Sequence, residues 1–183
     1  MKNLLILLLF VGVASSCTIQ GWTNDFDKLN DTQKGNIAKL IHFSDVSKDS
    51  IYKISGLQLR EELKNHPKSI VYLFSNGCSS EFCRPLSVYE DFAVKNGYKL
   101  FLVMNGYTNL DATLKQPISG VLYVIDNDYY KERLNHKYTR YFENDLTNKP
   151  LNEKRGKYSG NLYFFQGDTL VQILRELPAN TQL

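Results

Sequence analysis

Long hydrophobic stretches are almost absent from this 183-residue chain. One apolar run, Leu4 to Ala14, opens it, and nothing later approaches the roughly 20 residues that a spanning helix requires. The body is therefore expected to be soluble, with any membrane attachment made by another device. Charge of one sign is also lacking: 22 lysines and arginines stand against 19 aspartates and glutamates, a formal net charge of +3. The densest basic cluster, Lys149, Lys154, Arg155 and Lys157, contains Glu153 and reads as a solvated loop, so no nucleic-acid partner is expected. There is no internal repeat. Cysteine is scarce, three in all, and the three divide as one plus two: Cys17 follows the apolar run, while Cys78 and Cys83 stand together after a strand-like segment. Aromatics are abundant, with twelve tyrosines and ten phenylalanines, which suits strands and specifies no activity.

Met1-Lys2-Asn3 supplies one positive charge, the apolar run has the length of a signal-peptide core, and the small residues Ala14-Ser15-Ser16 precede Cys17. This arrangement resembles the lipobox of bacterial lipoproteins, with Ala14 where that motif usually has leucine. The resemblance implies that residues 1–16 are a signal peptide and that Cys17 is lipidated; the alternative is an ordinary cleaved secretory signal followed by an unrelated cysteine. Residues 17–49 then read as tether and N-terminal extension, polar to about residue 35, and residues 50–183 as one domain with a real core. Thr18-Ile19-Gln20 carry no acidic cluster, which points to a lipid-anchored place in the cell envelope, on the outer membrane facing the periplasm.

Within the domain the punctuation is clear. Residues 36–43 read as a short helix or loop turn. Ser50 to Ile54 alternates like a short strand. Ser55 is placed to cap the helix that follows, with Gln58 completing a capping box, and His66-Pro67 ends it. Ser69 to Ser75 has the profile of a central strand buried on both faces. After the cysteine segment, Leu86, Tyr89, Phe92 and Ala93 recur at helical intervals up to Asn96-Gly97, and Lys99 to Met104 is the next strand. A short helix over 109–115, a strand over 120–126 and a helix over 130–146 follow. Gln166-Gly167 then marks the turn of a terminal hairpin. The fold class expected is α/β: a central mixed sheet flanked by helices, with an inserted strand and helix at about 118–146 before the hairpin.

The run V-Y-L-F-S-N-G-C-S-S-E-F-C-R, a buried strand leading into a paired-cysteine loop at a helix N-terminus, resembles the active-site segment of the thioredoxin-like superfamily. The whole layout is most similar to lipid-anchored thioredoxin-like proteins of Bacteroidota-type bacteria. The resemblance implies a redox-active disulfide, no cofactor, and exported protein thiols or disulfides as partners. The spacing departs from the family. Five positions along a regular helix rotate a side chain by about 140° and raise it about 7.5 Å, beyond disulfide reach. The segment is therefore not wholly helical when the bond forms, and a helix beginning at about Phe82 to Pro85 leaves Cys78 in the preceding loop. Helix-terminal amides and Arg84 then favour a thiolate. Cys78 is assigned as the attacking sulfur and Cys83 as its resolving partner.

Three other readings remain open at this point. One is a non-catalytic scaffold or binding lipoprotein whose disulfide staples a loop. Another is a protein similar to bacterioferritin-comigratory peroxiredoxins, which share the four-residue spacer and whose Thr/Ser position Ser75 occupies, although Val71 stands where they have proline. The last is a copper-delivery lipoprotein of the Sco type, with His136 as the remote ligand; no metal is assigned. The superfamily's cis-proline has only a weak counterpart in Pro117, because Ser159-Gly160 stands at the expected place before the hairpin. No buried acid is evident near Cys83: Glu81, Glu90 and Asp91 read as solvated helix charges.

Overall fold

The computed structural model describes residues 21–78, 83–154, 156 and 160–178; the leader with Cys17, together with Glu81 and Ser159, lies outside them. Seven strands form one sheet: β1 (Ile37–Lys39), β2 (Ile51–Ile54), β3 (Ser69–Phe74), β4 (Lys99–Met104), β5 (Leu122–Ile125), β6 (Leu162–Gln166) and β7 (Thr169–Leu174). Their spatial order is β1-β2-β5-β4-β3-β6-β7. The first five are mutually parallel, and β6 runs antiparallel to both β3 and β7. The helices are α1 (Asp31–Gly35), α2 (Gly56–Leu63), α3 (Leu86–Asn96), α4 (Leu110–Leu114) and α5 (Asn135–Leu146). The chain is thus α/β with a mixed sheet flanked by helices. The inserted strand β5 lies inside the sheet, between β2 and β4.

Local chemistry accounts for most element ends. Ser55 Oγ accepts from Gln58 N–H at 3.2 Å while Gln58 Oε1 accepts from Ser55 N–H at 3.1 Å, the reciprocal cap expected for α2. Gly97 closes α3 at φ +69°, a conformation open to glycine without penalty. Two stretches differ from expectation. Residues 37–39 form strand β1, because Asn36 C=O and Leu40 N–H bond to Ile51 and Lys53 across the gap to β2; three residues give no alternation to read. Helix α5 starts at Asn135 and not at Tyr130, since Lys131 takes φ +50° within a pair of turns.

Alternation along the strands builds two cores. Ile70, Tyr72, Phe74, Leu102, Met104, Leu122 and Val124 face α3 and α4 through Leu86, Tyr89, Ala93 and Leu110. Val71, Leu73, Phe101, Val103, Tyr123 and Ile125 face α2 and α5 through Leu59, Leu63, Tyr138, Phe142 and Leu146. All six residues of β3 are buried, as a strand covered on both faces demands. Each large apolar side chain so buried contributes about 1.5–3 kcal/mol. Connections leaving β2 and β5 therefore lead to one face, and those leaving β3 and β4 to the other.

The polar segment read as tether is packed onto the domain from Gly21 onward. Leu29 is buried in the core and the Phe26 ring meets Tyr107 edge-on at 5.5 Å. Asp25, buried and at φ +59°, organises the segment: its carboxylate accepts from Gly21 N–H at 2.9 Å and from the Thr108 hydroxyl, and pairs with Lys28 Nζ at 2.9 Å. Burial pushes this carboxyl up, but the bonds from Thr108, Lys28 and Gly21 outweigh it and hold the pKa below its ordinary 3.8. The stabilisation is complete above that value and is lost as pH falls through the lowered one. Asp25→Asn is expected to be less stable than the parent in urea titrations near pH 7, and the gap should narrow progressively as the pH falls below the ordinary carboxyl value. A gap that does not change with pH would contradict this role.

Candidate functional site

Cys78 and Cys83 form a disulfide with a Cα–Cα distance of 5.9 Å. Neither residue is helical. Cys78 follows a turn at Asn76-Gly77, where Gly77 takes φ +64°, and Pro85 holds an extended ψ of 144° immediately before α3. The helix thus starts at Leu86, three residues past Cys83, so Cys83 does not head the helix as the spacing suggested. Cys78 is exposed and Cys83 half-buried. An incoming sulfur therefore has freer access at residue 78.

Both flanks of this loop are held by bonds that do not involve the bridge. Upstream, the buried Asn76 side chain donates to Gly106 C=O at 2.8 Å and accepts from Thr113 Oγ1 at 2.6 Å. The Ser75 hydroxyl accepts from Asn105 Nδ2 at 2.8 Å, which joins the ends of β3 and β4. Downstream, Gln116 Oε1 accepts from Leu86 N–H at 2.8 Å, and Pro85 C=O accepts from Val88 N–H at 3.0 Å. Two amides at the end of α3 are thereby occupied, leaving less of the helix terminus to support a thiolate. Sequence reading missed Asn76, Thr113 and Gln116, because each matters only through a partner about thirty or more positions away.

Arg84 stands exposed beside Cys83. Pro117 is exposed and its peptide is trans, as are all the described peptide bonds; it follows Gln116 along the first turns of α3 and supplies no cis-proline against the bridge. At the place before β6, Gly160 takes φ +154°, and a side chain there would overlap Leu174 C=O. Glu90 is not a free helix charge: it accepts from Ser119 N–H at 3.0 Å and Gly120 N–H at 2.6 Å, tying α3 to the approach to β5. Asp91 is exposed, and His136 is exposed in the first turn of α5, where the neighbouring Asn135 side chain donates to Asn105 C=O at 3.0 Å just past β4. Among the described residues no three His, Cys, Asp or Glu side chains converge as a metal would need.

The diverging connections after β4 and β5 open a crevice at the carboxyl ends of the strands, the usual place for a small ligand in such sheets. Here the chain itself fills it. Trp22 C=O accepts from Asn135 N–H at 2.9 Å, Asn24 C=O from Tyr107 N–H at 2.8 Å, and Asn24 Nδ2 donates to Asn127 Oδ1 at 2.6 Å. Beneath this strap burial, reinforced by the nearby Asp126 carboxylate, pushes the Tyr107 phenol well above its ordinary pKa. Asp126 is itself buried and accepts from the Asp128 and Tyr129 N–H groups at 3.2 and 3.3 Å. Sequence reading could not place Asp126 in the interior, since the segment packed over this end of the sheet reads as tether. No family model, no curated protein and no solved structure matches this chain.

Proposed function

We propose that this chain is a thioredoxin-like protein of the cell envelope, anchored by lipid at Cys17, that exchanges thiols and disulfides with exported proteins through Cys78 and Cys83. In the reducing direction the Cys78 thiolate attacks one sulfur of a substrate disulfide, forming a mixed disulfide and expelling the other substrate sulfur as thiolate. The Cys83 thiolate then attacks Cys78 Sγ, closing the bridge and releasing the second substrate thiolate. Two electrons pass from the protein to the substrate, and the reverse sequence oxidises a dithiol. The parallel β3–loop–α3–β4 unit beside an antiparallel hairpin supports the fold reading.

One observation carries the redox reading over a structural staple. The bridge is accessible at Cys78, while the segments on either side are pinned by Asn76, Ser75 and Gln116 independently of it. Closing a six-residue loop stabilises by only about 2 kcal/mol, so opening it leaves the fold intact and the two sulfurs near each other. Reduction should lower the thermal midpoint by roughly 4–8 °C without changing the far-ultraviolet circular dichroism. Iodoacetamide at mildly acidic pH, read by peptide mass mapping, should then label Cys78 before Cys83. Thiols that stay inert until the domain unfolds would leave only a scaffold.

A further inference from the structure

The tether is short. Gly21 N–H is held by the Asp25 carboxylate, which also accepts from the Thr108 hydroxyl, and Trp22 C=O accepts from Asn135 N–H; only Thr18, Ile19 and Gln20 separate Gly21 from Cys17. Four residue steps reach at most about 14 Å when fully extended. Gly21 lies against Thr108, its Cβ direction 3.8 Å from Oγ1, and the next residue, Asn109, touches Gly77, whose Cβ direction is 2.8 Å from Asn109 Cβ. The point where the anchor joins the domain is therefore one loop's width from Cys78. The same end of the sheet carries exposed apolar side chains: Trp22 (60 %), Ile41 (70 %) just past β1, Leu57 (45 %) in the first turn of α2 and Tyr129 (48 %) past β5. Tryptophan and tyrosine favour the boundary between lipid and water, where an apolar ring and a polar tip are both satisfied.

Resting on the reading of Cys17 as lipidated, we propose that the carboxyl edge of the sheet lies on the bilayer surface with Trp22 in the interface. Exchange at Cys78 then takes place with thiols or disulfides presented at that surface. The occupant of this edge is lipid, because the covalent anchor leaves the domain no room to stand away from it.

The chain has a single tryptophan, so its emission reports position 22 alone. Full-length protein, with the lipid mass on Cys17 verified, is placed in phosphatidylethanolamine–phosphatidylglycerol vesicles with and without brominated acyl chains. Emission should shift to the blue and fall severalfold with the brominated lipid. A Gly/Ser linker of about twelve residues between Gln20 and Gly21, adding about 40 Å of reach, should keep the protein on the vesicles and restore emission. Quenching that survives the linker still supports this edge as the docking face, its apolar side chains then sufficing. Lipid mass on Cys17 with unquenched emission overturns this proposal alone. A chain without lipid mass removes the anchor reading and this proposal with it.

Discussion

Cys78→Ser should reduce disulfide exchange to the uncatalysed background, a loss on the order of 10³-fold or more, because a hydroxyl at ordinary pKa does not replace a thiolate nucleophile. Cys83→Ser should behave differently. Its first step survives, since residue 78 is the exposed one, but nothing remains to attack Cys78 Sγ. The variant should therefore accumulate a mixed disulfide with its substrate, visible as a reducible mass increase on a non-reducing gel. The geometry makes the asymmetry specific: Cys78 is exposed just after the Asn76-Gly77 turn, and Cys83 is half-buried ahead of α3. Equal trapping by both single-serine variants would show that either sulfur can lead. Unchanged exchange in both would place the chemistry elsewhere.

Gly160→Ala should be among the most destabilising single changes in the chain. At φ +154° an L side chain is strained whatever its surroundings, and here the surroundings are closed: a Cβ would lie 2.0 Å from Leu174 C=O and 2.7 Å from Arg175 N. Both obstacles are backbone, so relief requires β7 to move, and the 3.0 Å bond from Asn161 N–H to Leu174 C=O would be disrupted with it. Strain and overpacking each cost about 1–3 kcal/mol, so a loss of about 3 kcal/mol or more is expected in urea unfolding. The disturbance reaches the cysteine strand, because Asn161 C=O accepts from Leu73 N–H at 2.9 Å at the end of β3. A variant within about 0.5 kcal/mol of the parent would mean that the chain does not cross β7 so closely.

Features set by near neighbours in the chain were legible beforehand. The Ser55–Gln58 cap, the helix-closing Gly97 and the Gln166-Gly167 turn each depend on residues a few positions apart, and composition suffices to recognise β3 and β4. The bar to a helical cysteine segment also followed from geometry alone, although the helix starts at Leu86 and not before. Long-range features were hidden. Nothing in Gly120 to Asp126 says that β5 enters the sheet between β2 and β4, and nothing in residues 21–29 says that a polar stretch packs across the strand ends. Glu90 reads as a surface charge because its partners, Ser119 and Gly120, are about thirty residues away. Asn76, in a pair that reads as an ordinary turn, is buried because Gly106 and Thr113 meet its amide.

The central claim is that Cys78 and Cys83 interconvert between dithiol and disulfide within the folded domain. Its most direct test is the reduction potential of that couple, obtained by equilibrating the protein in glutathione or dithiothreitol buffers and counting free thiols by acid-quenched alkylation. A single two-electron transition between about −120 and −270 mV, the span of dedicated exchange proteins, with native circular dichroism at both ends, is the expected result. A potential below about −300 mV, typical of structural bridges, or reduction only on unfolding, would contradict it.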